Sequence, residues 1–258
     1  MEQIKLTKEN GKIVPCLFEI PEGAEKIVIY IHGFESCKEC ATAELMRKRM
    51  PPEGIGVVSY DQPGHGEAEA RQEWIRIESC KDSLQTVENY IHEQYPEAEI
   101  LYFGSSYGAY LTGLYISSRP HLGHQFFMRS AAVNMPWLLL GAPGSEPDEQ
   151  AIALLKKQGY LQPKLGVGNP VKVPLGMFED LKENDLFEKF NLDAFGHTSC
   201  RMVHGSEDPV IDPRMAEKFS EKFSIPITFM EGEGHSINLK PEDPDKVMDQ
   251  AIEFFRTN

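Results

Sequence analysis

The sequence predicts an open, doubly wound, mostly parallel α/β sheet with an inserted cap. Three observations carry that expectation: short, continuously apolar, β-branched runs recur along the chain, segments of helical period with polar faces separate them, and one long stretch interrupts the alternation. The core is expected in residues 1–133 and 197–258, and the cap in 134–196.

At the amino terminus, Ile4 to Thr7 and Lys12 to Ile20 flank an Asn10-Gly11 hairpin signal and are expected to pair antiparallel at one sheet edge. Lys26 to Ile31 (KIVIYI) then reads as a strand covered on both faces, because it is apolar without alternation. Ile55 to Tyr60, Ile100 to Phe103, Gln125 to Val133, Cys200 to His204 and Ile227 to Met230 repeat that pattern. Helices are expected between them over Cys37 to Met50, Ser79 to Tyr95, Tyr107 to Ser118, Pro213 to Phe223 and Pro244 to Phe255. The stretch 134–196 is too long for a simple connection and carries its own helix, Glu149 to Gln158, so it reads as an insertion between two strands. Its acidic helical piece, Phe178 to Phe190, reads as a solvated face.

A chain of 258 residues, 41% of them hydrophobic, can bury a single large core without staples. The charged, alternating amino terminus does not read as a signal peptide, and no run approaches a membrane span. Five dispersed cysteines suit free thiols in a reducing compartment, and a cytoplasmic enzyme is the expectation. Cys37 and Cys40 form a lone C-x-x-C with no second ligand pair, so neither a metal nor a cofactor is expected. A formal net charge of −14 repels phosphate backbones and anionic membranes, which argues against both as partners. Self-association into a homo-oligomer is left open.

The chemistry concentrates at strand ends. Gly104-Ser105-Ser106-Tyr107-Gly108 matches G-x-S-x-G, directly after the strand ILYF and directly before a helix. Such a turn lifts the central serine clear of the sheet, which makes Ser106 the candidate nucleophile. A serine hydroxyl needs a base within hydrogen-bond reach, and His235 follows the last strand on the glycine-containing stretch Glu231 to Gly234. His32, His65, His92, His121, His124, His197 and His204 lack that position. The acid that holds the base in one tautomer falls between serine and histidine in chain order, where Asp208 stands just beyond CRMVH. Glu207 and Asp212 are its alternatives, although a helix N-cap role accounts for Asp212. For an oxyanion, the Tyr107 amide and the Phe34 amide, freed by the tight turn at Gly33, are the candidate donors.

Taken in order, YIHGF, YDQPGHG, GSSYG, HGSEDPV and GEGH resemble the strand-end motifs of α/β-hydrolases over nearly the whole chain. GSSYGAYL and HGSEDPVI are similar to small esterases and to peptidases of the prolyl-oligopeptidase and serine-aminopeptidase type. The resemblance implies a triad of Ser106, Asp208 and His235, with oxyanion amides at Phe34 and Tyr107. The propeller domain of the large peptidases is missing.

The leading expectation is hydrolysis of a small-molecule carboxylic ester through an acyl-serine intermediate. A short peptide or amide is the alternative substrate, with Glu179, Asp180, Glu183 or Asp185 as amine partners, and a non-catalytic hydrolase-fold binding protein is the reading from a different class. Met135, Trp137, Met177 and Phe178, with Leu138 and Leu139, are expected to shape an apolar acyl pocket.

Overall fold

In the computed structural model, which describes residues 1–68, 74–142, 144, 146, 148–163 and 168–257, the period-two face assignment of the strands organises the molecule. β3 (Lys26–Ile31) sends Ile27, Ile29 and Ile31 to one face and Val28 and Tyr30 to the other. β5 (Glu99–Ser105) likewise divides Ile100 and Tyr102 from Leu101 and Phe103. Both faces are buried, which is why these runs are apolar throughout instead of alternating.

Among the described residues one eight-stranded sheet takes the order β1-β2-β4-β3-β5-β6-β9-β10. Its remaining strands are β1 (Glu2–Thr7), β2 (Ile13–Glu19), β4 (Ile55–Tyr60), β6 (Gln125–Arg129), β9 (Ser199–Gly205) and β10 (Ile227–Met230). The hairpin β1-β2 and the pairing of β2 with β4 are antiparallel, and the rest is parallel. One face is covered by α1 (Ala41–Arg49) and α9 (Asp243–Arg256), through Ala43, Met46, Val247, Met248 and Phe255. The other is covered by α2 (Ile77–Gln94), α3 (Tyr107–Ser118) and α8 (Pro213–Phe223).

The stretch 134–196 carries α4 (Met135–Leu140), α5 (Glu149–Gln158), the short pair β7 (Tyr160–Leu161) and β8 (Val173–Pro174), α6 (Leu175–Glu183) and α7 (Leu186–Lys189). Parts of the expected cap, residues 143, 145, 147 and 164–167, lie outside the described residues. Among the described residues no helix is long and apolar enough to cross a membrane.

Three expected elements change. The strand expected to run to Val133 ends at Arg129, because Ser130 takes φ 46° and its amide closes onto Val203 O. The helix expected from Cys37 begins at Ala41, because Lys38 is drawn inward: its amide and its ammonium both bind the buried Asp61 carboxylate, at 2.8 and 2.9 Å. The acidic piece Phe178 to Phe190 is two helices, broken where Asp185 caps the Phe187 amide and starts α7.

Candidate active site

Ser106 sits between β5 and α3 with φ 52° and ψ −115°, a strained conformation for a residue with a Cβ. The glycines around it explain how the turn closes. A Cβ on Gly104 would stand 2.6 Å from Ala109 Cα, and one on Gly108 only 2.0 Å from Ile31 O. Strand and helix therefore approach closely enough to fix the turn, and the Ser106 amide is tied to Arg129 O on the adjoining strand at 2.9 Å.

His235 reaches this serine on a loop held by main-chain contacts. Its own carbonyl accepts from Ser130 Oγ at 2.8 Å, and the next carbonyl, of Ser236, accepts from Arg129 Nη2. Behind it, the buried Glu233 carboxylate takes the amides of Leu239 and Lys240 at 3.0 and 2.9 Å. Gly205 ends β9 with no Cβ, and one there would lie 2.3 Å from Glu233 O, so the loop can fold directly over the strand.

With the loop so placed, His235 Nε2 lies 2.9 Å from Ser106 Oγ and Nδ1 lies 2.7 Å from Asp208 Oδ2. A carboxylate only accepts, so Nδ1 carries the hydrogen and Nε2 faces the serine hydroxyl with its lone pair. An imidazole in that tautomer can take the serine proton. Asp208 Oδ1 accepts the Val210 and Ile211 amides at 2.8 and 3.0 Å, and Oδ2 also faces His204 Nε2 at 3.1 Å. Burial alone would raise this carboxyl, but the hydrogen bonds from His204 and His235 and the charge of His235 hold it well below the usual carboxylate range. Of the alternatives, Glu207 is exposed and Asp212 caps α8 through the Arg214 amide.

Gly33 packs against the serine, since a Cβ on it would stand 3.3 Å from Ser106 Cβ. The His32 ring fixes the peptide that follows: Nδ1 lies 2.8 Å from Gly33 O, and Nε2 accepts the Gln62 amide at 3.1 Å. Because a trans peptide points its C=O and N–H in opposite directions, gripping Gly33 O from one side aims the Phe34 N–H to the other. Neither the Phe34 nor the Tyr107 amide donates within the turns, loops and caps of the described residues. The two side chains meet edge to face at 5.7 Å, beside His65. Burial pushes His32 down to about 4 and His65 to about 3, so both rings are neutral parts of the wall.

A cavity of about 370 Å³ opens at Ser106 and His235, with Phe34, Met135 and Leu138 in its lining. Sequence reasoning misplaced three of its expected walls. Met177 and Phe178 are buried instead where α6 packs on α2 and α4, and the half-buried Trp137 does not line the cavity. The acids proposed as amine partners also lie elsewhere, with Asp180 bound to Arg76 Nε and Nη2 at 2.7 Å each and to the Ile77 amide, and Asp185 capping α7. Among the described residues no group of three or more His, Cys, Asp or Glu side chains is placed to hold a metal ion. Several polar wall residues were missed, among them Arg129 and Tyr30. An arginine closing the strand QFFMR directly after its apolar run Phe126 to Met128, at the ligand-facing edge of the sheet, was the available signal.

Comparison with solved structures gives the same architecture at low identity. Est1E from Butyrivibrio proteoclasticus, with ferulic acid bound, superposes with a TM-score of 0.77 at 16% identity, over 98% of this chain and 100% of that one. The α/β-hydrolase GrgF from Penicillium sp. sh18 gives 0.75 at 14%, over 99% and 97%. Mouse alpha/beta hydrolase domain-containing protein 10 gives 0.72 at 13%, over 98% and 99%. No curated protein sequence matches the chain. The family described as serine aminopeptidase, S33, matches residues 22–192, about two thirds of the sequence and including the GSSYG turn. On that match and this fold, the chain belongs to the serine aminopeptidase S33 family of α/β-hydrolases.

Proposed function

We propose that the protein is a serine hydrolase that cleaves carboxylic esters of small or medium acyl or aromatic acids through an acyl-serine intermediate. The observation that carries this reading is the continuous relay from Asp208 Oδ2 through His235 to Ser106 Oγ, with contacts of 2.7 and 2.9 Å. Ser106 attacks the ester carbonyl as His235 Nε2 takes its proton, and the Phe34 and Tyr107 amides receive the oxyanion. The same nitrogen returns the proton to the departing alcohol. Water, activated in turn by His235, then releases the acid. Asp208 stays ionised throughout and stabilises the transient imidazolium. Residues 134–196 serve as the cap, which reaches the cavity through Met135 and Leu138.

The family match favours a second reading, hydrolysis of an amide or peptide by the same groups with a poorer leaving group. One screen separates the two: p-nitrophenyl esters of graded length and feruloyl esters against aminoacyl-anilides. The nucleophile is tested by fluorophosphonate labelling and mass spectrometry, with the label expected on Ser106 and absent from Ser106→Ala. A label on any other residue would overturn the assignment.

A further inference from the structure

Arg129 ends β6 on the face that Phe127 shares with α9, opposite Ser105 in the parallel register, and it lines the cavity at Ser106. Arg129 is half-buried: desolvation pushes its guanidinium below its ordinary value while the charges of Asp208 and Glu233 act the other way, and among the described residues no carboxylate is in ion-pair contact with it. Its single hydrogen bond there, to Ser236 O, leaves Nε and Nη1 without an acceptor. A partly desolvated guanidinium with open donors on a cavity wall is a ready partner for an anion.

Independent features of the same wall point to that anion. Cys40, the N-cap of α1, makes no side-chain cap, so the first-turn amides of α1 lack the usual acceptor while Ala41 and Thr42 line the cavity. Ser105, only 3% exposed and also in the lining, has a hydroxyl with no hydrogen-bond partner. Beside it the Tyr30 hydroxyl meets Cys40 Sγ, a weak partner, at 3.3 Å and lies close to the Ser105 hydroxyl.

We propose that this wall is a carboxylate-binding subsite, in which Arg129, the first-turn amides of α1 and the hydroxyls of Ser105 and Tyr30 receive a carboxylate carried by the acyl part of the substrate. The inference rests on the serine-hydrolase reading and narrows its substrates to monoesters of short dicarboxylic acids. One guanidinium faces the cavity together with one carboxylate, that of Glu35, so the wall suits a singly charged carboxylate better than a doubly charged phosphate. Tyr30, Ser105, Val247 and Met248 are all nearly inaccessible, so this is an enclosed end. It suits the portion that stays on the serine after the alcohol has left. A cavity of about 370 Å³ also limits the acid to a short chain.

The test compares 4-methylumbelliferyl hexanoate with 4-methylumbelliferyl hydrogen adipate, whose acyl chains differ only in the terminal carboxylate. Wild-type kcat/KM is expected to favour the adipate ester by about tenfold or more, and Arg129→Gln to lower that ratio by about tenfold, with Arg129→Lys restoring part of it. Taking the ratio cancels any loss that comes through the bond to Ser236. Calorimetry with adipate and with butyl phosphate reads the subsite without turnover. Adipate should bind, and Arg129→Gln should weaken it by a similar factor. A wild-type ratio near one, a ratio unchanged in Arg129→Gln, or binding of butyl phosphate but not adipate overturns the subsite. If Ser106 is labelled and neutral esters are cleaved without an adipate preference, the subsite falls and the hydrolase reading stands. If neither label nor turnover is found, the hydrolase reading falls and the adipate calorimetry still decides the subsite.

Discussion

Asp208 Oδ2 lies 3.1 Å from His204 Nε2, on the same oxygen that meets His235 Nδ1. His204 is fully buried in β9, and its Nε2 also faces Ile211 O at 3.1 Å, so two acceptors fix the hydrogen on that nitrogen. His204 is therefore a positioning residue for the acid. His204→Phe is expected to lower kcat about tenfold with KM little changed, the scale of one lost charge-assisted hydrogen bond, and His204→Gln to recover part of it. Steady-state kinetics on p-nitrophenyl butyrate checks this, and wild-type turnover in His204→Phe would sink the role.

Asp208→Asn is expected to cost at least about 10²-fold in kcat, far more than Glu207→Gln or Asp212→Asn. If the amide oxygen keeps the Val210 and Ile211 amides, its NH2 group faces two imidazole N–H donors, and His235 escapes only by taking the wrong tautomer. Asp212→Asn preserves a capping side chain and should change neither rate nor thermal midpoint appreciably. The reverse order among the three variants would move the acid elsewhere.

His32→Leu removes the grip on Gly33 O and frees the Phe34 amide to rotate. A fall in kcat of about 10- to 100-fold is expected, approaching the loss of an oxyanion donor. Burst amplitude and KM should change less than kcat, because the serine and its base are untouched. Unaltered kcat would show that the peptide holds its direction without the ring.

Stability is expected to fall as pH drops from about 6.5 toward 4. His32 and His65 stay neutral in the fold down to about 4 and about 3, whereas unfolded imidazoles take protons near 6.5. The unfolded chain therefore binds more protons in that window, and each ring lowers unfolding free energy by up to about 1.4 kcal/mol per pH unit there. Thermal midpoints measured across the window should flatten in His65→Gln, and an unchanged slope would contradict the assignment.

The relay and most of the sheet were legible because each strand is buried on both faces and each motif sits at a strand end. Gly104, Ser106 and Gly108 occupy spacings that one turn geometry requires. Arg129 left a charged residue at the end of its strand as a signal, but its place in the cavity wall and that of Tyr30 depend on which face of a strand they occupy and on what packs above it. Met177 and Phe178 misled for a related reason: an apolar residue in an insertion can face a ligand or the core, and only the docking of α6 decides. His204 resembled a strand-end histidine in a turn until the fold brought Asp208 back across it.

The loop that delivers His235 is gripped through carbonyl oxygens, by Ser130 at residue 235 and by Arg129 at residue 236. Any amino acid offers the same carbonyl, so the side chain at position 236, which faces the cavity, is uncoupled from the placement of the base. Exchanging Ser236 for larger, smaller or charged residues is thus expected to reshape that part of the cavity wall while the contacts of His235 with Ser106 and Asp208 are kept. The placement of His235 is secured by the main chain, and an adjoining wall position is left free of that constraint.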